Sequence, residues 1–414
     1  MIKARLIRFS LLVSVVALAF LASAFAATET VLYSFNIADG ETPYGGVIFD
    51  SAGNLYGTTF YGGGNGCGSF GCGQVFKLSP AIDGKWAETT IYTFTGSTDG
   101  SHPYSRLIFD SAGNLYGTTY GANSGGTGHG TAFRLSPNAD GSWSFSLLHA
   151  FGQGKDGVQP TGTLAFDANG NLFGVTGKGG TANLGTVFEL SPGTGGTWTE
   201  KVVHSFAGGL DGAYPSDGVV SSNGNIFGTT VSGGGTACSG PGCGVIFEFS
   251  PNGKGGWTLT FPRRFTGARD GEAPLGLSFD SAGNLYGSAN GGKDTTDCPS
   301  GCGVVFRMTQ KSNGVWTFAP LHYFNGGNGL YPEAVLAGPG GEIYGDTQNG
   351  GQGMGLIYEL NPVSNYAETV LYEFLGGADG GEPTSRLTMD GAGNFYGTGT
   401  YGGAGGGVVF EVTP

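Results

Sequence analysis

The ten residues "DSAGNLYGTT" occur twice without a change, at Asp50–Thr59 and at Asp110–Thr119. Their core returns as "GNLFGVT" from Gly170, "GNIFGTT" from Gly224, "GNLYGSA" from Gly283, "GEIYGDT" from Gly341 and "GNFYGTG" from Gly393. Successive copies lie 60, 57, 54, 59, 58 and 52 residues apart, so seven units fill the chain behind its leader. Self-similarity at such a period is the mark of a repeat architecture.

Each unit holds four strand-like segments separated by turn signals. In the second copy they are "RLIFD", "NLYGTT", "GTAFRLSP" and "WSFSLLHAF". The third segment alternates most clearly: an aromatic residue (Phe76, Phe133, Phe188, Phe247, Phe306, Tyr358, Phe410) is followed each time by a charged one. Such a strand is buried on one face and wet on the other. "DSAG" reads as the turn between first and second strands, with Gly free to take positive φ. The inner Gly of "LYGTT" sits mid-strand in all copies, which predicts a close backbone approach between neighbouring units or a bulge.

The two chain ends separate a ring from a linear solenoid. The chain opens with an orphan fourth strand, "TVLYSF" (Thr30–Phe35), and closes on a third strand, "GVVFEV" (Gly407–Val412), that lacks its fourth. A solenoid would need caps instead. The reading is all-β: a seven-bladed β-propeller of four-stranded antiparallel blades, closed when the N-terminal strand joins the last blade.

Residues 1–26 read as a signal peptide, leaving 27–414 as one domain. Lys3, Arg5 and Arg8 precede an apolar run, Leu11–Phe20, and Ala24-Phe25-Ala26 supplies a small-x-small cleavage pattern. The run is short for a membrane anchor. Its removal moves the formal charge from −13 to −16, a poor match for nucleic acid or anionic membrane. Gly supplies 85 of 414 residues, yet 13% aromatics argue for a packed fold rather than disorder. The expectation is an exported monomer, secreted or periplasmic, with no membrane insertion after cleavage and no cofactor.

Six cysteines form three local pairs, Cys67/Cys72, Cys238/Cys243 and Cys298/Cys302, each between second and third strands. Those three loops have 13 residues, against 10, 8, 7 and 7 where Cys is absent. Long loops behind an export signal call for disulfide staples. A zinc site is the rival reading, but no His accompanies the pairs, and no metal is expected.

A motif "DGxxP" follows each fourth strand, at Asp39, Asp99, Asp156, Asp211, Asp270, Asn328 (as "NGLYP") and Asp379. Asp-Gly makes a turn on its own account. In a propeller, though, these loops share a rim with the stapled ones, beside Tyr61, Tyr120, Tyr401 and further tyrosines such as Tyr44 and Tyr104. That rim is a candidate surface for an extracellular glycan or protein. His149, His204 and His322 fall where other copies carry Tyr or Arg, and read as fillers of an amphipathic slot. The alternative is a lyase or lactonase-like propeller enzyme with an acid/base or metal site at the central channel. The charged residues near the first strands are Arg106, Asp217, Glu333 and Arg386, a mixed set with no recurring carboxylate.

The joined pattern "GNLYGTTYGG…GGxVFKLSP…YxFxxxxDGxxP" resembles the GloVer (Gloeo-Verruco) tandem repeat of bacterial surface and secreted proteins. The resemblance covers essentially the whole chain after residue 26. It implies an extracellular repeat architecture and carries no catalytic residues across. Many such relatives end in an anchoring segment; the want of one here leads us to expect release rather than attachment.

Overall fold

The repeated decapeptide folds as a self-contained turn. The Asp50 carboxylate accepts from the Ala52 and Asn54 N–H groups, both at 2.9 Å, from Asn54 Nδ2 at 2.7 Å and from the Tyr56 hydroxyl at 3.0 Å. Gly53 completes the turn at φ 83°. Asp110, Asp280 and Asp390 repeat the same four bonds within their own copies. The wording recurs because one side chain closes the turn and ties it to the next strand.

The structure is a computed structural model that describes residues 27–414, apart from 37, 65, 83, 122–128, 153–154, 236–237, 239–240, 293–297 and 299–300. The signal-peptide reading of 1–26 therefore lies outside the described residues. No α-helix occurs among them, and none is long and apolar enough to cross a membrane.

The third repeat shows the strand order most simply. Val158–Phe166, Leu172–Lys178, Thr186–Pro192 and Trp198–Ser205 pair antiparallel in sequence. In the second and seventh repeats the first strand is broken, into Ser101–Pro103 with Ile108–Phe109 and Gly381–Pro383 with Thr388–Met389. A single parallel bridge, Thr163 to Gly218, links the third and fourth repeats into one eight-stranded sheet. The N-terminal strand Thr28–Ser34 pairs with the last strand Val408–Thr413, Val31 opposite Phe410 and Ser34 opposite Val408.

Burial follows the same circuit. Hydrophobic clusters bridge each repeat to the next, for example Tyr56, Val75 and Phe94 with Leu107, Leu115 and Phe133. One cluster joins the two ends: Leu32 and Phe35 pack with Val47 and Phe76 of the first repeat and Tyr396 and Val409 of the last. The result is an all-β, propeller-like fold of curled sheets.

The mid-strand glycines have a reason other than the one the sequence suggests. A Cβ on Gly57 would lie 2.5 Å from the Phe76 ring, on Gly174 2.4 Å from Phe188, and on Gly397 2.5 Å from Phe410. Each glycine is paired across the ladder with that aromatic, as in Gly57 opposite Phe76. The invader is the unit's own third-strand ring, which covers the glycine and fills the core.

All three cysteine pairs are disulfides, with Cα separations of 5.0, 5.4 and 5.4 Å. Their position matters for the site described next.

Candidate functional site

The "DGxxP" loops meet the preceding repeat through one backbone bond. The residue before Pro donates its N–H to the carbonyl just ahead of the previous third strand: His102 to Cys72 at 2.7 Å, Ala273 to Cys243 at 2.8 Å, Tyr331 to Cys302 at 3.1 Å. The other four copies make the same link, from Thr42, Gln159, Tyr214 and Glu382. In three cases the acceptor is a disulfide cysteine, so each staple fixes a carbonyl that holds its neighbour.

All seven of these pre-proline residues lie at φ between 48° and 58°. That region costs a non-glycine residue about 1–3 kcal/mol, so the surroundings must enforce it. The strained turn directs the residue after Pro to one place. Tyr44, Tyr104, Thr161, Ser216, Leu275, Glu333 and Thr384, one from each repeat, all line a single cavity of about 590 Å³.

The cavity has two unlike parts. One wall is aromatic and comes from the first two repeats: Tyr44, Phe60, Tyr61, Tyr104 and Tyr120. Their rings form a contact network, with Tyr44–Tyr104 centroids 5.2 Å apart, Phe60–Tyr61 4.8 Å and Tyr104–Tyr120 6.0 Å. His102 packs on Phe60 at 4.8 Å, and burial lowers its pKa.

The other part is charged. Arg106, Asp217, Glu333 and Arg386, which the sequence scatters over four repeats, are brought together. Arg106 Nη2 donates to Val47 O at 3.2 Å and to Thr388 Oγ1, and Arg386 Nη2 donates to Leu277 O. Asp217 Oδ2 accepts from the Gly276 N–H at 2.7 Å. The Glu333 carboxyl has no hydrogen-bond partner among the described residues. These groups sit deep among protein atoms, and burial governs their titration. Burial, then the Arg386 charge, brings Arg106 down to about 9, with Asp217 opposing. Burial lowers Arg386 and raises Asp217, each partly offset by the other's charge. Glu333 is pushed up to about 8, by burial and then by Asp217.

Behind Glu333 lies a pair that the sequence reading missed. Asp346 and Tyr358 are fully buried, and both Asp346 oxygens and the Tyr358 hydroxyl lack partners among the described residues. Burial, then Glu333, raises the Asp346 carboxyl well above the usual range. The signal was present: other copies hold Thr58, Thr118, Val175, Thr229, Ser288 and Thr398 where Asp346 stands, and Phe where Tyr358 stands.

The motif acids are not among the residues that line the cavity. The Asp99 carboxylate takes the Tyr92 hydroxyl at 3.0 Å, the Thr95 N–H at 2.8 Å and the Thr95 hydroxyl at 2.7 Å. Asp39 and Asp379 accept from Tyr33 and Tyr372, Asp156 and Asp211 meet His149 and His204, Asp270 meets Arg263, and Asn328 meets His322. The slot occupied by Tyr, His or Arg thus anchors the motif turn in every copy, a more specific duty than filling space. Of the tyrosines read as rim residues, Tyr61 and Tyr120 lie on the cavity wall, whereas Tyr401 is exposed and is not part of it. Among the described residues no group of three or more His, Cys, Asp or Glu is placed to hold a metal ion.

Curled sheets packed around a cavity to which every repeat contributes define a propeller-like repeat protein. The chain belongs to the Gloeobacter/Verrucomicrobia repeat family, whose model matches residues 20–241, 123–352 and 236–414. A search of curated proteins returns no match. Among solved structures, a puromycin-hydrolyzing peptidase of Mycobacterium tuberculosis is similar at 12% identity and TM-score 0.53, over 89% of this chain and 52% of its own. This chain thus spans about half of that one, and the likeness is one of fold. The PQQ-bound aldose sugar dehydrogenase of Streptomyces coelicolor is 12% identical with TM-score 0.46, covering 94% and 98% of the two chains. A protein of unknown function from Dyadobacter fermentans is 13% identical with TM-score 0.45, covering 93% and 96%.

Proposed function

We propose that this chain is an exported, seven-bladed propeller of four-stranded blades that binds a saccharide in its axial cavity. The observation that carries this reading is the cavity's division into an aromatic wall and a floor of two guanidinium and two carboxyl groups. Pyranose rings present apolar C–H faces to aromatic rings and hydroxyls to planar, multi-donor groups such as Arg. A concave site with a few convergent polar groups suits such a ligand. The three disulfides support export. The rim acids enter as supports of the loops that aim the lining residues, and Tyr61 and Tyr120 enter as ligand contacts.

A glycan array tests the proposal with the wild-type protein and with Tyr104→Ala and Tyr120→Ala. The expected result is a restricted set of saccharide hits that both variants weaken. An array without hits, or hits indifferent to both changes, would contradict it.

One observation favours a second reading, hydrolysis or elimination at the bound saccharide. Glu333 keeps its proton near neutrality, and Asp217, from a different repeat, is raised by burial but opposed by the Arg386 charge and the Gly276 N–H. Two carboxyls with separated environments are what acid/base catalysis requires. Release of new reducing ends or unsaturated products from an array hit, abolished in Glu333→Gln, would establish it.

A further inference from the structure

A second hollow, about 410 Å³, adjoins the cavity on the side of the second and third repeats. Phe60, Tyr61 and Tyr120 line both spaces, so one aromatic wall serves the two. His102, Gln159 and Lys178 form much of the remainder, and among the described residues no Asp or Glu lines it. Each space alone falls within the roughly 300–1,000 Å³ of small-molecule sites.

We infer that the cavity and this groove are one cleft, built for an acidic oligosaccharide that enters end-on. The inference rests on the saccharide reading above and extends it to ligand charge, length and direction. Three observations support it. The floor is occupied by Arg106, Asp217 and Arg386, tethered by hydrogen bonds to the first, fifth and seventh repeats, which sets a fixed cluster of charged groups against a chain end. The continuous wall leads away from that floor, giving successive sugar rings successive aromatic faces. The charge runs against that of the protein: on a chain of formal charge −13, the joined cleft gathers Arg106, Arg386 and Lys178. Opposing them are Asp217 and Glu333, and Glu333 stays largely protonated below its pKa of about 8. Among the described residues each guanidinium bonds the protein through Nη2 alone, which leaves further N–H donors for a uronate carboxylate in the paired geometry Arg favours.

The experiment is calorimetric titration with oligogalacturonates of one to six units, alongside cello-oligosaccharides of equal length. The expected result is tighter binding of the acidic series, with affinity rising about tenfold between one and three units. Lys178, an exposed residue whose removal does not threaten folding, serves as the probe of the groove. Lys178→Ala should shrink the trimer-to-monomer ratio, and Lys178→Arg should restore it. Equal binding of acidic and neutral sugars would overturn the charge assignment. Affinity independent of length would overturn the joined cleft while leaving the cavity reading intact. Failure of every saccharide to bind would overturn both.

Discussion

The rim and the axis of this molecule use the same side chains to opposite ends. At the rim, an acid such as Asp99 is enclosed by donors from its own loop and by the Tyr92 hydroxyl. At the axis, Glu333 faces a cavity and Asp346 lies buried, neither carboxyl with a hydrogen-bond partner among the described residues. A carboxylate surrounded by N–H and O–H donors has its hydrogen bonds met and locks a turn. One removed from water without donors is kept protonated and remains available to a ligand. Abundance of acids around a ring therefore says little about where the ring works; the count of unmet hydrogen bonds says more.

Three perturbations would break or sharpen this contrast. The largest effect is expected at the rim. Asp99→Ala should cost about 3 kcal/mol in urea unfolding, because several charge-assisted bonds are lost and their donors stranded, and any saccharide hit should bind more weakly because the loop that aims Tyr104 loses its anchor. Next comes the axis. Asp346→Thr, the residue of four other copies, should stabilise the protein at pH 7 by about 2 kcal/mol by removing a buried carboxyl with unmet bonds. Because the folded-state pKa of Asp346 is raised, its presence weakens the fold as pH climbs above the unfolded value near 4. The gain from the substitution should accordingly fade on acidification.

The smallest effect belongs to the junctions between repeats, where two acids meet. Burial and then the charge of a motif Asp push Glu29 and Glu200 up to about 7, through Asp379 and Asp156 respectively. A raised carboxyl pKa contributes stability that is complete below about 4.5 and is lost as pH rises through about 7. Melting temperature should decline modestly across that window and flatten in Glu29→Gln/Glu200→Gln. A profile that rises instead would show that these junctions resemble the donor-rich turns.

Much of the fold could be read from the chain because it is written repeatedly. The turn of Asp50, the aromatic of Phe76 and the orphan strand Thr30–Phe35 are local signals, and the paired ends meet as expected. The site was legible only in part. Arg106, Asp217, Glu333 and Arg386 could be named, but nothing along the chain reveals that a strained residue before each Pro turns them toward one point. The position after Pro carries Tyr, Thr, Ser, Leu or Glu, and it was hidden behind the constant motif beside it. Asp346 and Tyr358 were hidden differently, as exceptions inside an otherwise uniform strand. In a repeat protein the constant letters describe the scaffold, and the departures from them mark the site.

The contrast between donor-rich turns and the donor-poor axis is tested most directly by carbon-13 NMR titration of Asp and Glu carboxyl groups, with Glu333→Gln to assign one resonance. Donor-rich turns should titrate low: at Asp50, Asp110, Asp280 and Asp390 burial opposes ionisation, but the Asn and Tyr donors outweigh it. The resonance missing from Glu333→Gln should titrate near 8. If it titrates near 4.5 with ordinary surface glutamates, the axial cavity is not the desolvated, partner-seeking site described here.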